Sequence, residues 1–321
     1  MTNKFLDTKK MIPIFNRRFL SAAFTVTVCA LVFLLSLFAS DKISHSVKSA
    51  LSLCSTVIIP SVFPFIIMSD FLYAYLNFSA IDTLGAIFEK LFKINRLGLY
   101  PFILGILCGF PLGVKSASEL YRDGKLSRDE AERIIGFCNN TGPAFLVSGV
   151  GLGLRKSIAE GMILYFVMVA TAIITGALFS IGHKPSTNAA SVTLTKSFSL
   201  TSSIKGAGMA TLNICSYLTF FACIVGLLRN AIGESYIYLS TLPFLEVGSA
   251  SSILSKTKLL TKNQSLSLTS FAIGFSGLSV HLQALCFISD TDLSCNRYFF
   301  MKLTQGALSM LTIFTLCSLV A

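Results

Sequence analysis

Between Cys108 and Pro143 the chain sets two clusters of helix-breaking residues inside apolar sequence, Gly109-Phe110-Pro111-Leu112-Gly113 and Asn139-Asn140-Thr141-Gly142-Pro143. Each interrupts a segment that would otherwise continue as a membrane helix. A break at membrane depth leaves backbone N–H and C=O groups without partners. Lipid supplies none, so both clusters must face protein or a water-filled cavity. Such a place is suited to binding a solute.

A second copy sharpens this expectation. Leu245-Glu246-Val247-Gly248-Ser249-Ala250-Ser251 follows the pattern of Phe110 to Ser116, and Gly274-Phe275-Ser276-Gly277 follows that of Gly136 to Gly142. Gly113 and Gly248 are 135 residues apart, and so are Gly142 and Gly277. Two glycine nodes at one spacing predict an internal duplication, and corresponding interrupted segments point to a transporter-type site at a repeat interface.

Composition fixes the setting. With 53% hydrophobic and 13% charged residues in 321, against roughly 25% charged in an average soluble domain, the expected fold is an all-α polytopic membrane protein. The net charge of +11 would suggest nucleic acid in a soluble chain, but here the Lys and Arg residues sit in short loops between apolar runs. There they set topology, and no nucleic-acid partner is expected. The nine cysteines are odd in number, form no CxxC pair and read as small hydrophobes.

Taken in order, residues 1–45 are expected to hold a cytoplasmic N-terminus and an extra span, Phe19 to Ala39. A first repeat runs over 50–181, a Ser/Thr/Asn-rich linker over 182–203, and a second repeat over 204–321. Pro60 and Pro64 predict a kink in the span from Leu51 to Leu76, and its counterpart, Ile204 to Leu228, should bend less. Ile81 to Ile94 has the pattern of a helix lying in the membrane interface. Leu97 to Leu120 reads as a re-entrant hairpin or a helix broken in mid-membrane. Ser127-Arg128-Asp129-Glu130 is a capping box, so a helix should start near Arg128 and run to the Asn139 node. The second half should repeat the order: span 204–228, broken segment 236–255, broken span 266–289 and last span 298–320. This topology places 17 Lys and Arg on the cytoplasmic side, Lys302 among them, and 8 on the other, Arg155 among them. The two repeats are then inverted, in a multi-pass protein of the cell membrane with its N-terminus inside.

The expected substrate-binding residues are Gly109, Pro111, Gly113, Glu119, Asn139, Asn140, Thr141 and Gly142 in the first half, with Glu246, Gly248, Ser249, Ser276, Gly277, His281 and Gln283 in the second. An ionisable group in a membrane segment is costly enough to suggest function, and Glu246 is the only charge from Ser235 to Ser255. A structural ion pair is the alternative for both glutamates, with Lys115 the obvious partner. Asn139, Asn140 and Thr141 precede a helix-initiating Gly-Pro, whose N-terminal dipole end would face the same cavity. His281 could carry a proton or simply pack. No metal-ligand spacing or catalytic signature occurs, so neither enzyme activity, a bound metal nor a cofactor is expected.

The motifs G-F-P-L-G at 109–113, L-Y-R-D-G-K-L-S-R-D-E-A-E-R at 120–133, F-C-N-N-T-G-P-A-F at 137–145, L-E-V-G at 245–248 and F-S-G-L-S-V-H-L-Q at 275–283 are together similar to the YlbJ-type sporulation integral membrane proteins, a group with the nucleoside-recognition, or Gate, domain. The resemblance covers about residues 50–321. It implies a fold related to concentrative nucleoside transporters, built as an inverted repeat of broken and re-entrant helices, and a role in spore formation. The partners expected are the lipid bilayer and a small polar solute, with or without a coupling ion, and a homo-oligomer is compatible with the sequence. Two functions stay open: a secondary transporter or channel, and a non-transporting scaffold of the spore envelope.

Overall fold

The computed structural model describes residues 40–75, 82–184 and 198–320, and every regular element among them is a helix. The expected first span, Phe19 to Ala39, residue Ile81 of the interfacial segment and residues 185–197 of the linker lie outside the described residues.

The first half opens with α1 (Ser40–Leu53) and α2 (Ile59–Tyr75), joined by a π-wound turn at Cys54–Ile58. The helix axes meet at 42° just ahead of Pro64, where proline removes a donor from the ladder. α3 (Asp82–Phe92) buries Phe88 and Phe92 and leaves Leu84, Ile87 and Leu91 outside. Its apolar side is thus divided between protein contact and exposed residues, with Lys90 exposed beside them, a pattern that suits the membrane interface. Then come α4 (Leu99–Leu107), α5 (Leu112–Arg122), α6 (Arg128–Cys138), the π-wound α7 (Ala144–Arg155) and α8 (Ile158–Leu178).

The second half has α9 (Leu200–Ile232), unbroken over 33 residues, followed by α10 (Tyr236–Leu245), α11 (Val247–Leu254), α12 (Lys262–Phe275), α13 (Gly277–Ile288) and α14 (Asn296–Val320). Both capping boxes form: Ser127 with Glu130 starts α6, and Thr261 with Gln264 starts α12. Thus the order long helix, broken pair, capped and broken helix, final span occurs in each half. Among the described residues, four helical stretches are long and apolar enough to cross a membrane, and the bent α1–α2 pair makes a fifth.

Lipid is as apolar as a leucine side chain, so close approach rather than hydrophobic burial holds such helices together. α12 packs along α14 at Gly274, where an added Cβ would lie 2.8 Å from the Gly306 Cα. The fully buried Arg133 closes the end of α3, its guanidinium donating to the Phe92 carbonyl (2.6 Å) and the Lys93 carbonyl (2.8 Å). This fixes α6 against α3, with Phe137 ring-stacked on Phe92 at 4.7 Å, two residues before Asn139.

Candidate functional site

The four breaks come together in pairs. Between α4 and α5 the chain turns at Gly109, whose φ of 87° is a conformation that glycine adopts without strain. A Cβ there would sit 2.7 Å from the Gly142 amide nitrogen, and one on Gly142 would sit 3.0 Å from the Cys108 carbonyl. The breaks at 108–111 and 139–143 therefore touch backbone to backbone. Gly105 and Gly113 flank the Cys138 carbonyl so closely that neither has room for a side chain. In the second half Glu246 is extended between α10 and α11, and Ser276 and Gly277 are left-handed between α12 and α13. A Cβ on Gly277 would lie 3.0 Å from the Leu245 carbonyl, so these two breaks touch as well.

Both pairs border one small cavity of about 40 Å³. Its walls include Gly109, Phe110, Thr141 and Gly142 from the first half and Glu246, Gly248, Ser279 and Gln283 from the second. The Glu246 carboxylate accepts from the amides of Gly248 (2.7 Å) and Ser249, which caps α11 with negative charge at the positive end of the helix. The Gln283 amide donates to Ser279 Oγ at 3.4 Å, while Gln283 Oε1 and Thr141 Oγ1 have no hydrogen-bond partner although both side chains are buried. Buried polar atoms are nearly always paired. Two such atoms belong to residues that line this one cavity, which suits it to taking up water or a ligand atom.

The cavity shares Phe65, Ala144, Phe145, Leu218 and Gly248 with a wide vestibule of about 1270 Å³, open to the outside. Hydroxyl groups line it, from Ser49 and Ser52 on α1, Thr56 in the π-wound turn, Ser148 on α7, and Ser249 and Ser252 on α11. Lys48, Lys256 and Arg229 are its cations; Arg229 pairs with Glu234 at 3.0 Å.

Behind the Asn139 node lies a polar cluster supplied by the last helix. Asn139 Nδ2 donates to Tyr298 Oη (2.8 Å), which is 3.3 Å from His281 Nδ1. Lys302 Nζ donates to the Asn139 carbonyl (2.8 Å) and to Gln305 Oε1 (2.7 Å), and Gln305 Nε2 donates to Asn140 Oδ1 (2.9 Å). Asn139 Oδ1 and His281 Nε2 are buried without partners.

The sequence-predicted residues thus divide. Gly109, Thr141, Gly142, Glu246, Gly248 and Gln283 line the small cavity, Ser249 lines the vestibule, and Asn139, Asn140 and His281 lie in the cluster behind. Pro111, Gly113, Ser276 and Gly277 shape the breaks without lining either space. Glu119 lies apart, on α5, paired with Lys115 at 3.0 Å; Lys115 also holds Asp70 at 2.5 Å. Glu246 does not share that lysine and is spent on a helix cap instead.

Two assignments need correction. Lys302, counted with the cytoplasmic loop charges, is wholly buried on α14. Arg155, counted as an outward loop charge, turns inward to Ser265 and Thr269 (2.9 Å each) and to Glu160 (3.4 Å). In both cases a charge near a helix end points into the bundle rather than snorkelling to water. The site residues that sequence reasoning missed are Tyr298, Lys302 and Gln305, which share one face of α14 at spacings of four and three. That polar stripe in an apolar span was the available signal.

The chain is similar to the sporulation integral membrane protein YlbJ of Bacillus subtilis (strain 168), with 24% identity over 304 aligned residues that cover 81% of this chain and 74% of the relative. It is an integral membrane protein related to YlbJ. No family model and no solved structure matches the chain.

Proposed function

We propose that this chain carries a small polar solute across the membrane, binding it where the four helix breaks meet. The observation that carries this reading is the shared cavity, walled in part by Thr141 and Gln283 with their unpaired oxygens, which has lining residues in common with an open vestibule. Interrupted helices whose ends converge near mid-membrane are the usual construction of secondary-transporter sites. Gln283 and Thr141 would take donors from the solute, and the cations Lys48 and Lys256 favour a solute with negative charge at the vestibule. In this reading the halves at 50–181 and 204–321 are inverted repeats of a concentrative-nucleoside-transporter-like fold, the N-terminus is cytoplasmic, and the chain is not an enzyme. The similarity to a sporulation protein supports a place in spore formation.

A second reading, a non-transporting scaffold of the spore envelope, is favoured by the capping role of Glu246, which takes up its carboxylate in backbone bonds. The test is a thermal-shift screen of the purified full chain against nucleosides, small aromatic dicarboxylates and divalent metal ions. A ligand that binds only the folded protein raises its unfolding temperature. Transport expects a saturable shift with one class that Gln283→Ala removes. No shift with any class supports the scaffold.

A further inference from the structure

Lys302 is the most unusual charge in the molecule. It lies six residues into α14, about 9 Å along the helix at 1.5 Å per residue. A lysine so placed normally extends its flexible stem toward the interface. This one is wholly buried and points sideways into the break at Asn139. Gly136 on α6 makes this approach possible by leaving room for Met301, the neighbouring residue on α14.

The surroundings of Nζ are oxygen acceptors without charge. One is the Asn139 carbonyl, at the end of α6, where the last helical carbonyls have no partner of their own and carry the negative end of the dipole. The other is Gln305 Oε1. The amide of Gln305 is not free to turn, because its Nε2 donates to Asn140 Oδ1 at 2.9 Å and to the Met168 carbonyl at 3.3 Å. Its oxygen is therefore held toward Nζ in advance. The titratable groups nearby are Cys138 on α6, His281 on α13 and Tyr298 on α14, and no carboxylate among the described residues pairs with Lys302.

Unwound carbonyls and half-helix C-terminal ends are the groups that hold sodium in discontinuous membrane helices, and here the fixed Gln305 oxygen lies beside them. We propose that Lys302 is a tethered cation, its Nζ occupying at the α6 break the seat that a bound alkali ion would otherwise fill. The break is then held together without sodium. For the proposed transport, on which this one consequence rests, it follows that sodium need not bind at this break.

The ion dependence itself is tested without any solute, so failure of the solute screen leaves it standing. The full chain is purified in detergent, and its unfolding is followed in sodium chloride and in choline chloride at equal ionic strength. The wild-type protein should unfold at the same temperature in both. Lys302→Ala vacates the seat and leaves the oxygens in place. Sodium should then stabilise it saturably, multiplying the folding equilibrium constant about a hundredfold at roughly 100 times the dissociation constant, while choline should not. Lys302→Met fills the seat without charge and should be less stable in both salts, with no sodium response. A saturable sodium response of the wild-type protein would overturn the proposal. So would a Lys302→Ala variant that responds alike to both salts, or that cannot be recovered folded in either.

Discussion

The break at Asn139–Pro143 and the break at Ser276–Gly277 interrupt helices that occupy the same place in the order of the two halves, yet they are held by different means. At the first, Asn139 leaves the helix with φ −87° and ψ 84°, and α14 satisfies the exposed groups with Tyr298, Lys302 and Gln305. At the second, two left-handed residues make the turn themselves, with the Ser276 amide donating to the Ala272 carbonyl at 2.8 Å and Gly277 pressed on Leu245. The adjoining hairpins differ as well: α5 begins without a side-chain cap, whereas Glu246 caps α11. The halves share a geometry and divide the chemistry, a cation serving the first and a carboxylate the second. A helix break can thus be secured by a distant side chain or by its own backbone, and the two should fail under different substitutions.

The largest effect expected concerns orientation. If the halves are inverted, single cysteines at exposed positions 128 and 258, in a Cys-free background, should be labelled from opposite sides of the membrane; labelling from one side would end the comparison in its inverted form. Next is Gly113→Ala, whose Cβ would collide with the Cys138 carbonyl, a backbone atom that cannot swing aside. A loss of about 1–3 kcal/mol is expected, read as lower abundance and an earlier unfolding transition. Gly277→Ala combines a positive φ with a 3.0 Å contact to Leu245 O and should cost about 1–2 kcal/mol or somewhat more. Equal tolerance at both glycines would show that the breaks are less constrained than their packing implies. Glu246→Gln weakens a charged cap and should cost about 0.5–2 kcal/mol in thermal unfolding.

The smallest effect lies where Asp129 at the start of α6 meets Arg297 at the start of α14 at 2.7 Å and Arg133 at 2.9 Å. Burial alone would raise the Asp129 carboxyl, but the bonds to Arg297 and Arg133 hold it below its ordinary value. A carboxyl lowered in the folded state adds stability that is present above the unfolded value, about 3.9, and is lost as pH falls through the folded one. Acid titration of stability should therefore flatten in Asp129→Asn. Because the pair is partly exposed, the change should stay under about 1 kcal/mol.

Much of the fold was legible in local chemistry. Gly and Pro mark both first-half breaks, and the Ser127–Glu130 box marks the start of α6, because caps and backbone angles are decided by neighbours in sequence. The pairing of Lys115 with Asp70, 45 residues earlier, and of Asn139 with Tyr298, 159 residues later, was not legible in the same way. Such partners depend on which helices pack together. Lys302 shows the limit well: near a helix end, a lysine in an apolar span reads equally as a loop charge or a buried cation. Only the position of α6 beside α14 decides between them.

The small volume at the meeting of the breaks has a kinetic consequence. A space of about 40 Å³ holds a few waters at most, whereas pockets for small molecules are usually 300 Å³ or more. A solute entering from the vestibule would meet a closed floor, and helix ends would have to separate before it could go on. Such rearrangements take microseconds to milliseconds. Throughput would then be counted in molecules per conformational cycle, far below the diffusive flow of an open pore, and cooling should slow it as steeply as it slows the opening of the helix ends.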